Sequence, residues 1–365
     1  MIKECKLINK ETTIEHIFNY LSQRYEFTII KELGKGGFGC VKEIKIRNHK
    51  NALKVQYFPI GSEEQLKKKK KYFDREATLS RHFKHKNIVS TNNIFSLTID
   101  NKYVSGIIME KCSKNTLMNL IKICNKGNFF HSILFNHFTF LPYFFYFSEN
   151  FCKYFFEQTL CGLEYIHRSG CCHFDMKAEN ILLTHDYIVK LSDFGLTGVS
   201  NTSKLSKGTI GYMGLEYYEN KNDAKYGEGV DIFPLGVILY LLFFKENLIN
   251  TDKLSSINEK ILKNIIEQRI ILIEKNENIS EKMKRVLIKM LNDDHRKRPS
   301  VYELMNDEWL KEGREERKQI YDNNPCELEK ILIELQKSDI TFLRKGNQRK
   351  GNNRKYTFKG INTVQ

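Results

Sequence analysis

The chain has 365 residues, 41% of them hydrophobic and 28% charged, with 21 glycines and 5 prolines. That length suits two domains or one two-lobed domain, and the composition excludes collagen-like, disulfide-stapled miniature and wholly disordered classes. The outlying property is a net charge of +15, which bears on partners (nucleic acid, an anionic membrane, an acidic protein) and not on fold. Most of the excess sits in two runs: residues 67–71 hold +5, and residues 344–365 hold +7 with no acid. The second run, rich in Asn and Gly, reads as a disordered tail. The cysteines number nine, an odd count without metal-ligand spacing. The N-terminus lacks the apolar core of roughly 7–15 residues that a signal peptide needs. A reducing compartment is expected, cytoplasmic or nuclear.

In chain order, Thr13 precedes an apolar stripe of Ile14, Ile17, Phe18 and Leu21. An N-capped amphipathic helix ending near Arg24 is predicted, forming an extension over residues 1–24. Residues 25–50 alternate apolar and polar side chains (Phe27, Ile29; Val41, Ile44, Ile46) around a glycine-rich break, the pattern of a strand hairpin. A third strand covers 52–57, a helix 63–83, and strands 88–96 and 103–110; helical periodicity then runs from 112 to 310. The order is α+β, sheet-rich first and helix-rich second. Residues 127–148 interrupt it with 22 positions that carry no charge, long enough to span a bilayer. They include His131, Asn136, His137 and Pro142, each unfavourable in hydrocarbon, and they separate two helices expected in one lobe, so no membrane span is expected.

The residues that carry chemistry begin with Gly34, Gly36 and Gly39, whose missing side chains let the backbone approach a polyphosphate. A strand pattern follows them, not the helix of a dinucleotide fingerprint. Lys54 lies among apolar neighbours on the third strand, either as an edge residue or as a buried cation that needs an anion. Glu76 on the next helix is the candidate anion; taken alone it reads as a solvated helix residue. Between His173 and Asn180, a carboxylate (Asp175), an amine (Lys177) and an amide (Asn180) stand at offsets 0, +2 and +5. Thirteen residues on comes Asp193-Phe194-Gly195. The set offers a carboxylate for an incoming hydroxyl, a cation for transferred charge, and two oxygen donors of the kind Mg2+ prefers.

This ordered set resembles the eukaryotic protein kinase superfamily, and the Ser/Thr kinases within it, from about residue 25 to about residue 310. The resemblance implies a bilobal fold, with a small antiparallel-sheet N-lobe holding one main helix (25–111) and a larger helical C-lobe (112–312). An aromatic-rich insertion (128–147) interrupts the C-lobe and a basic tail (313–365) follows it. It implies ATP and Mg2+ as cofactors. ATP would be bound by Leu33, Gly34, Lys35, Gly36, Gly37, Phe38, Gly39 and Val41 of the loop, with Ala52, Lys54, Met109, Glu110, Cys112 and Leu182. Lys54 pairs with Glu76, Asp175 orients the substrate hydroxyl, Lys177 stabilises the transferring phosphoryl, and Asn180 and Asp193 hold the metals. The implied partners are ATP and protein Ser/Thr side chains, with no nucleic acid. Residues 326–345, amphipathic and basic at their end, read either as a packing helix or as a regulatory, calmodulin-binding one. The hinge resembles kinases of translation initiation factor 2, and the Arg298 to Trp309 ending leans to calcium/calmodulin-dependent types. Glu216, Asp231 and Arg298 resemble residues that brace the C-lobe.

Departures stand beside the matches. Phe174 replaces the usual Arg before Asp175, which removes the partner of an activation-segment phosphate. Gly214-Leu215 replaces Ala-Pro before Glu216, and Ser80 stands where an apolar residue holds the helix of Glu76. These departures motivate a rival reading, a pseudokinase or scaffold. Glu179 is present, but Thr116 stands where basophilic kinases carry an acid, so no preference for upstream arginine is expected.

Overall fold

The computed structural model describes residues 14–36, 39–114, 116–125, 147–201, 208–218, 226–251 and 257–321. Gly37, Phe38, the insertion as far as residue 146, the activation-segment residues 202–207 and the tail beyond 321 lie outside them.

The first half forms one antiparallel sheet from β1 (Phe27–Gly36), β2 (Gly39–Ile46), β3 (His49–Pro59), β4 (Thr91–Ile99) and β5 (Lys102–Glu110). Its order is β1-β2-β3-β5-β4. Alternation along the strands sends Cys40, Ile44, Leu53, Val55, Val104 and Ile108 to one face. There they form a single core with Ile17, Phe18 and Leu21 of α1 (Ile14–Tyr25). The N-terminal helix is thus part of the small lobe's core. Lys42, 5% exposed on the same face, is neutralised by Glu15 at 2.6 Å and lies 4.6 Å over the Phe18 ring. The opposite face carries the site: Val41 lies opposite Lys54, and Ala52 pairs with both Glu43 and Met109. α2 (Glu63–His82), capped by Ser62, supplies Glu76.

The sequence places a strand over 88–96, whereas β4 begins at Thr91. Ile88 and Val89 are apolar for another reason. They dock on the large lobe, with the Val89 N–H donating to Leu191 O at 2.9 Å.

The second half is helical: α3 (Leu117–Asn125), α4 (Glu149–Arg168), α5 (Gly229–Phe244), α6 (Glu259–Glu274), α7 (Glu281–Met290), α8 (Val301–Asn306), α9 (Glu308–Lys311) and α10 (Arg314–Tyr321). Short pairs interrupt it, β6 (Cys171–Cys172) with β9 (Gly198–Val199) and β7 (Ile181–Leu183) with β8 (Val189–Leu191). α5 is apolar all round and buried from Val230 to Phe243, as a central core helix must be. α3 and α4 share one core through Leu117, Ile121, Phe151 and Phe155, so both ends of the uncharged stretch sit in one lobe. No helix among the described residues is long and apolar enough to cross a membrane. Trp309, fully buried, donates its indole N–H to Glu149 at 2.8 Å and joins the end of the lobe to the start of α4.

Removing the Phe18 ring leaves a cavity between α1 and the sheet. Phe18→Ala is expected to lower stability by about 3–5 kcal/mol, read from the midpoint of urea unfolding. An unchanged midpoint would mean that α1 does not belong to the small lobe's core.

Candidate active site

Lys54 projects from the cleft face of β3 and meets Glu76 Oε1 at 2.6 Å and Asp193 Oδ1 at 2.7 Å. Burial alone would lower the pKa of its ammonium; the two carboxylates outweigh burial and hold it above the ordinary lysine range. Burial likewise opposes charge on Asp193, yet Lys54 keeps that carboxylate below its usual range. Both open readings of Lys54 and Glu76 are resolved: the cation is largely buried, its side chain 17% exposed, and its anion is Glu76, itself 3% exposed.

The second cluster lies in the loop before β7. Asp175 accepts from Lys177 Nζ and from the Thr209 hydroxyl, each at 2.8 Å, and Lys177 also donates to Thr209 at 2.8 Å. Asn180 donates to the Asp175 carbonyl at 2.8 Å and to its Oδ2 at 3.2 Å. Its amide nitrogen is thereby engaged, which leaves its amide oxygen as the donor available to a metal. His173 Nδ1 accepts the Asp175 N–H at 3.2 Å, so its other nitrogen carries the proton, 3.1 Å from Ser192 O.

Asp231 at the start of α5 holds this loop. Its carboxylate accepts the N–H groups of His173 and Phe174, each at 2.8 Å, and faces His167 Nε2 at 2.9 Å. Burial opposes its charge, but His167 and these donors keep it below the usual carboxylate range. Phe174 (φ 62°) and Asp193 (φ 66°) both adopt the left-handed region. Non-glycine residues keep that conformation only where their surroundings fix it.

Three departures acquire a physical account. Phe174 packs with Cys172, Tyr226 and Val230, against Leu196, in a small apolar cluster. Its carbonyl accepts the Tyr217 hydroxyl at 3.3 Å. Asn201 N–H donates to Tyr226 O at 2.9 Å, and Ser200 N–H to Gly170 O at 2.9 Å. The start of the activation segment is thereby tied to Gly170 and Tyr226 by backbone hydrogen bonds, and its end to the Asp175 loop through Tyr217. Ser80 does not leave α2 loose: Phe83, one residue past the helix, sets its ring 5.2 Å from Phe194, which also faces His173 at 5.5 Å. A Cβ at residue 214 would come within 2.5 Å of Glu216 Oε2 and 2.8 Å of Arg298 Nη2. Gly214 thus makes room for the buried two-pronged Glu216–Arg298 pair, at 2.7 and 2.8 Å.

The hinge after β5 is braced on both sides. Glu110 accepts the Ser90 N–H at 2.6 Å and Lys190 Nζ at 2.9 Å. Lys111 faces Glu43 of β2 at 3.4 Å, and Glu43 is 2% exposed. Met109 and Cys112 flank these residues, half-buried. Burial, helped by Glu110, pushes the Cys112 thiol up to about 12. Leu182 bridges to Thr116 beyond the hinge. On the loop side, Gly34 pairs with Val41 and Lys35 with Cys40, Gly36 pairs with Gly39, and Leu33 is exposed. A Cβ on Gly39 would lie 2.0 Å from Val55 O, so this glycine is needed for strand contact as well as for open backbone. Sequence reasoning missed Glu43, Lys111 and the link from Thr209 to Asp175. Glu43 is signalled only by its spacing of two from Val41.

A five-stranded sheet lobe over a helical lobe, with a charged cluster at their junction, is the protein kinase fold. A family model described as protein kinase domain matches residues 27–310, and the chain belongs to that family. Serine/threonine-protein kinase cds1 of Schizosaccharomyces pombe is 30% identical over 239 residues, 60% of this chain and 45% of that protein. Serine/threonine-protein kinase SRK2G of Arabidopsis thaliana is 27% identical over 292 residues, 78% of this chain and 73% of that protein. Calcium-dependent protein kinase 6 of Plasmodium berghei is 28% identical over 300 residues, 80% of this chain but 17% of that protein. The chain thus spans less than half the length of two of these relatives.

Arginine at residue 174 would bury an unpaired guanidinium among Cys172, Tyr226 and Val230. Phe174→Arg is expected to lower stability by about 3 kcal/mol or more, measured by chemical denaturation. Equal stability would show that the apolar cluster is dispensable.

Proposed function

We propose that this chain is an active serine/threonine protein kinase that transfers the γ-phosphoryl group of ATP, with Mg2+, to Ser or Thr hydroxyls of protein substrates. The observation that carries the reading is the Lys54–Glu76–Asp193 cluster, formed within 2.7 Å across the two lobes. A scaffold that had lost transfer has no need for a largely buried lysine matched by two carboxylates, which is costly unless paired.

Val41, Ala52, Met109, Glu110, Cys112 and Leu182 form the slot for the adenine, and Gly34, Gly36 and Gly39 leave room for the phosphates. Lys54 fixes the α and β phosphates, with Glu76 holding its ammonium in place. The Asn180 amide oxygen and the Asp193 carboxylate are hard oxygen donors that fit Mg2+. A metal bound there would supply positive charge to offset that of the phosphates. Asp175 orients the incoming hydroxyl and receives its proton at a carboxylate oxygen, while Lys177, 2.8 Å from it, balances charge on the group in transit. Thr209 holds Asp175 and Lys177 in one geometry. The catalytic unit on this reading covers residues 25–312, with residues 313–365 as a tail open to a regulatory partner.

Transfer of labelled γ-phosphate to a peptide array by the purified full chain tests activity and specificity together. Asp193→Ala is expected to reduce transfer about a thousandfold while the chain still folds, shown by a cooperative melt and an unchanged far-UV circular dichroism spectrum. Wild-type chain without transfer to any peptide or to itself would favour the scaffold.

A further inference from the structure

A groove of about 760 Å3 lies between α4, the β7–β8 turn, α8 and α10, and no residue assigned above to nucleotide, metal or transfer lines it. Tyr154, Ile188, Tyr302 and Met305 give it an apolar wall. Two of them are open for large apolar side chains, Ile188 at 38% and Tyr302 at 69% exposed. Asn87 also lines the groove and is fully buried. Its amide nitrogen donates to Val189 O and Gln158 Oε1, and its amide oxygen has no hydrogen-bond partner among the described residues. Its charged rim is largely paired within the fold: Lys190 meets Glu110, Arg314 and Arg317 meet Glu157, and Lys318 meets Glu315.

The chain itself supplies the occupant. α10 forms one wall through Arg314, Arg317 and Lys318, and the described chain ends three residues later at Tyr321. Cys326 follows after a further five residues, which reach about 18 Å when extended. From there Leu328, Ile331, Leu332 and Leu335 recur at i, i+3, i+4 and i+7, bordered by Glu327, Glu329 and Glu334. An apolar stripe of this spacing matches the apolar wall of the groove. We propose that residues 326–335 dock in this groove within the same chain, on a surface that holds none of the residues assigned to nucleotide or transfer and is independent of the nucleotide reading.

Cys161 lines the groove and Cys326 opens the segment, so native thiols report on docking. Alkylation of Cys161 is followed by peptide mass spectrometry in the full chain and in Leu332→Asp/Leu335→Asp, at several protein concentrations. The variant is expected to label about fivefold faster, the factor for a segment docked about 80% of the time. Ile188→Asp, altered on the groove side, is expected to match it, and a short bismaleimide is expected to join Cys161 to Cys326 within one chain. Equal Cys161 rates in wild type and variants would overturn the proposal. So would cross-links between chains with protection that grows with concentration, which assign the groove to a second copy. Parallel acceleration at Cys112, outside the groove, would mark general loosening and also count against it.

Discussion

The ammonium of Lys54 cannot stay charged in the cleft without compensation, and the compensation comes from two distant parts of the chain. Glu76 arrives on α2 and Asp193 from the loop after β8, both within 2.7 Å. Taking a cation out of water is costly unless its partners are well placed, so this one charge fixes where α2 lies against the sheet and how the lobes meet. Phe83 and Phe194 support the same arrangement with apolar contact, and His173 links it to the loop of Asp175. Asp231 anchors that loop from the centre of the large lobe. The site is thus positioned by one core helix, one sheet and one ion cluster.

The activation segment is held by different physics from an ion pair with phosphate. Phe174 contributes a ring to an apolar cluster where an arginine would present a charge, and backbone hydrogen bonds at Ser200 and Asn201 join the start of the segment to Gly170 and Tyr226. At its end, Gly214 leaves room for Glu216 and Arg298. The hinge is braced likewise, Glu110 to the large lobe through Lys190 and Lys111 to the sheet through Glu43. Apolar packing, backbone hydrogen bonds and these ion pairs together hold the segment and the hinge.

Sequence spacing made much of this legible. Lys54, Asp175, Lys177, Asn180 and Asp193 stand at fixed offsets within short motifs, and local periodicity was enough to place their strands and loops. What the sequence concealed depends on contacts between distant residues. Ile88 and Val89 look like strand residues because they are apolar, but they dock on Leu191. The stripe of α1 predicts a buried face without saying that the sheet covers it. Ser80 reads as a weakness until Phe83 is seen against Phe194. Glu43 and Lys111 are 68 residues apart in the chain and resemble surface charges until the sheet brings them to 3.4 Å.

The central claim is that the ion cluster at Lys54 is competent for transfer as folded. The most direct measurement follows labelled γ-phosphate into protein substrate, using chain stripped of phosphate by a phosphatase that is then removed. Lys54→Met is the control. The account expects the stripped wild type to transfer from the first time point, without a lag, and Lys54→Met to transfer nothing above background. A lag that ends only as residues 202–207 become phosphorylated, or transfer by Lys54→Met at the wild-type rate, would contradict it.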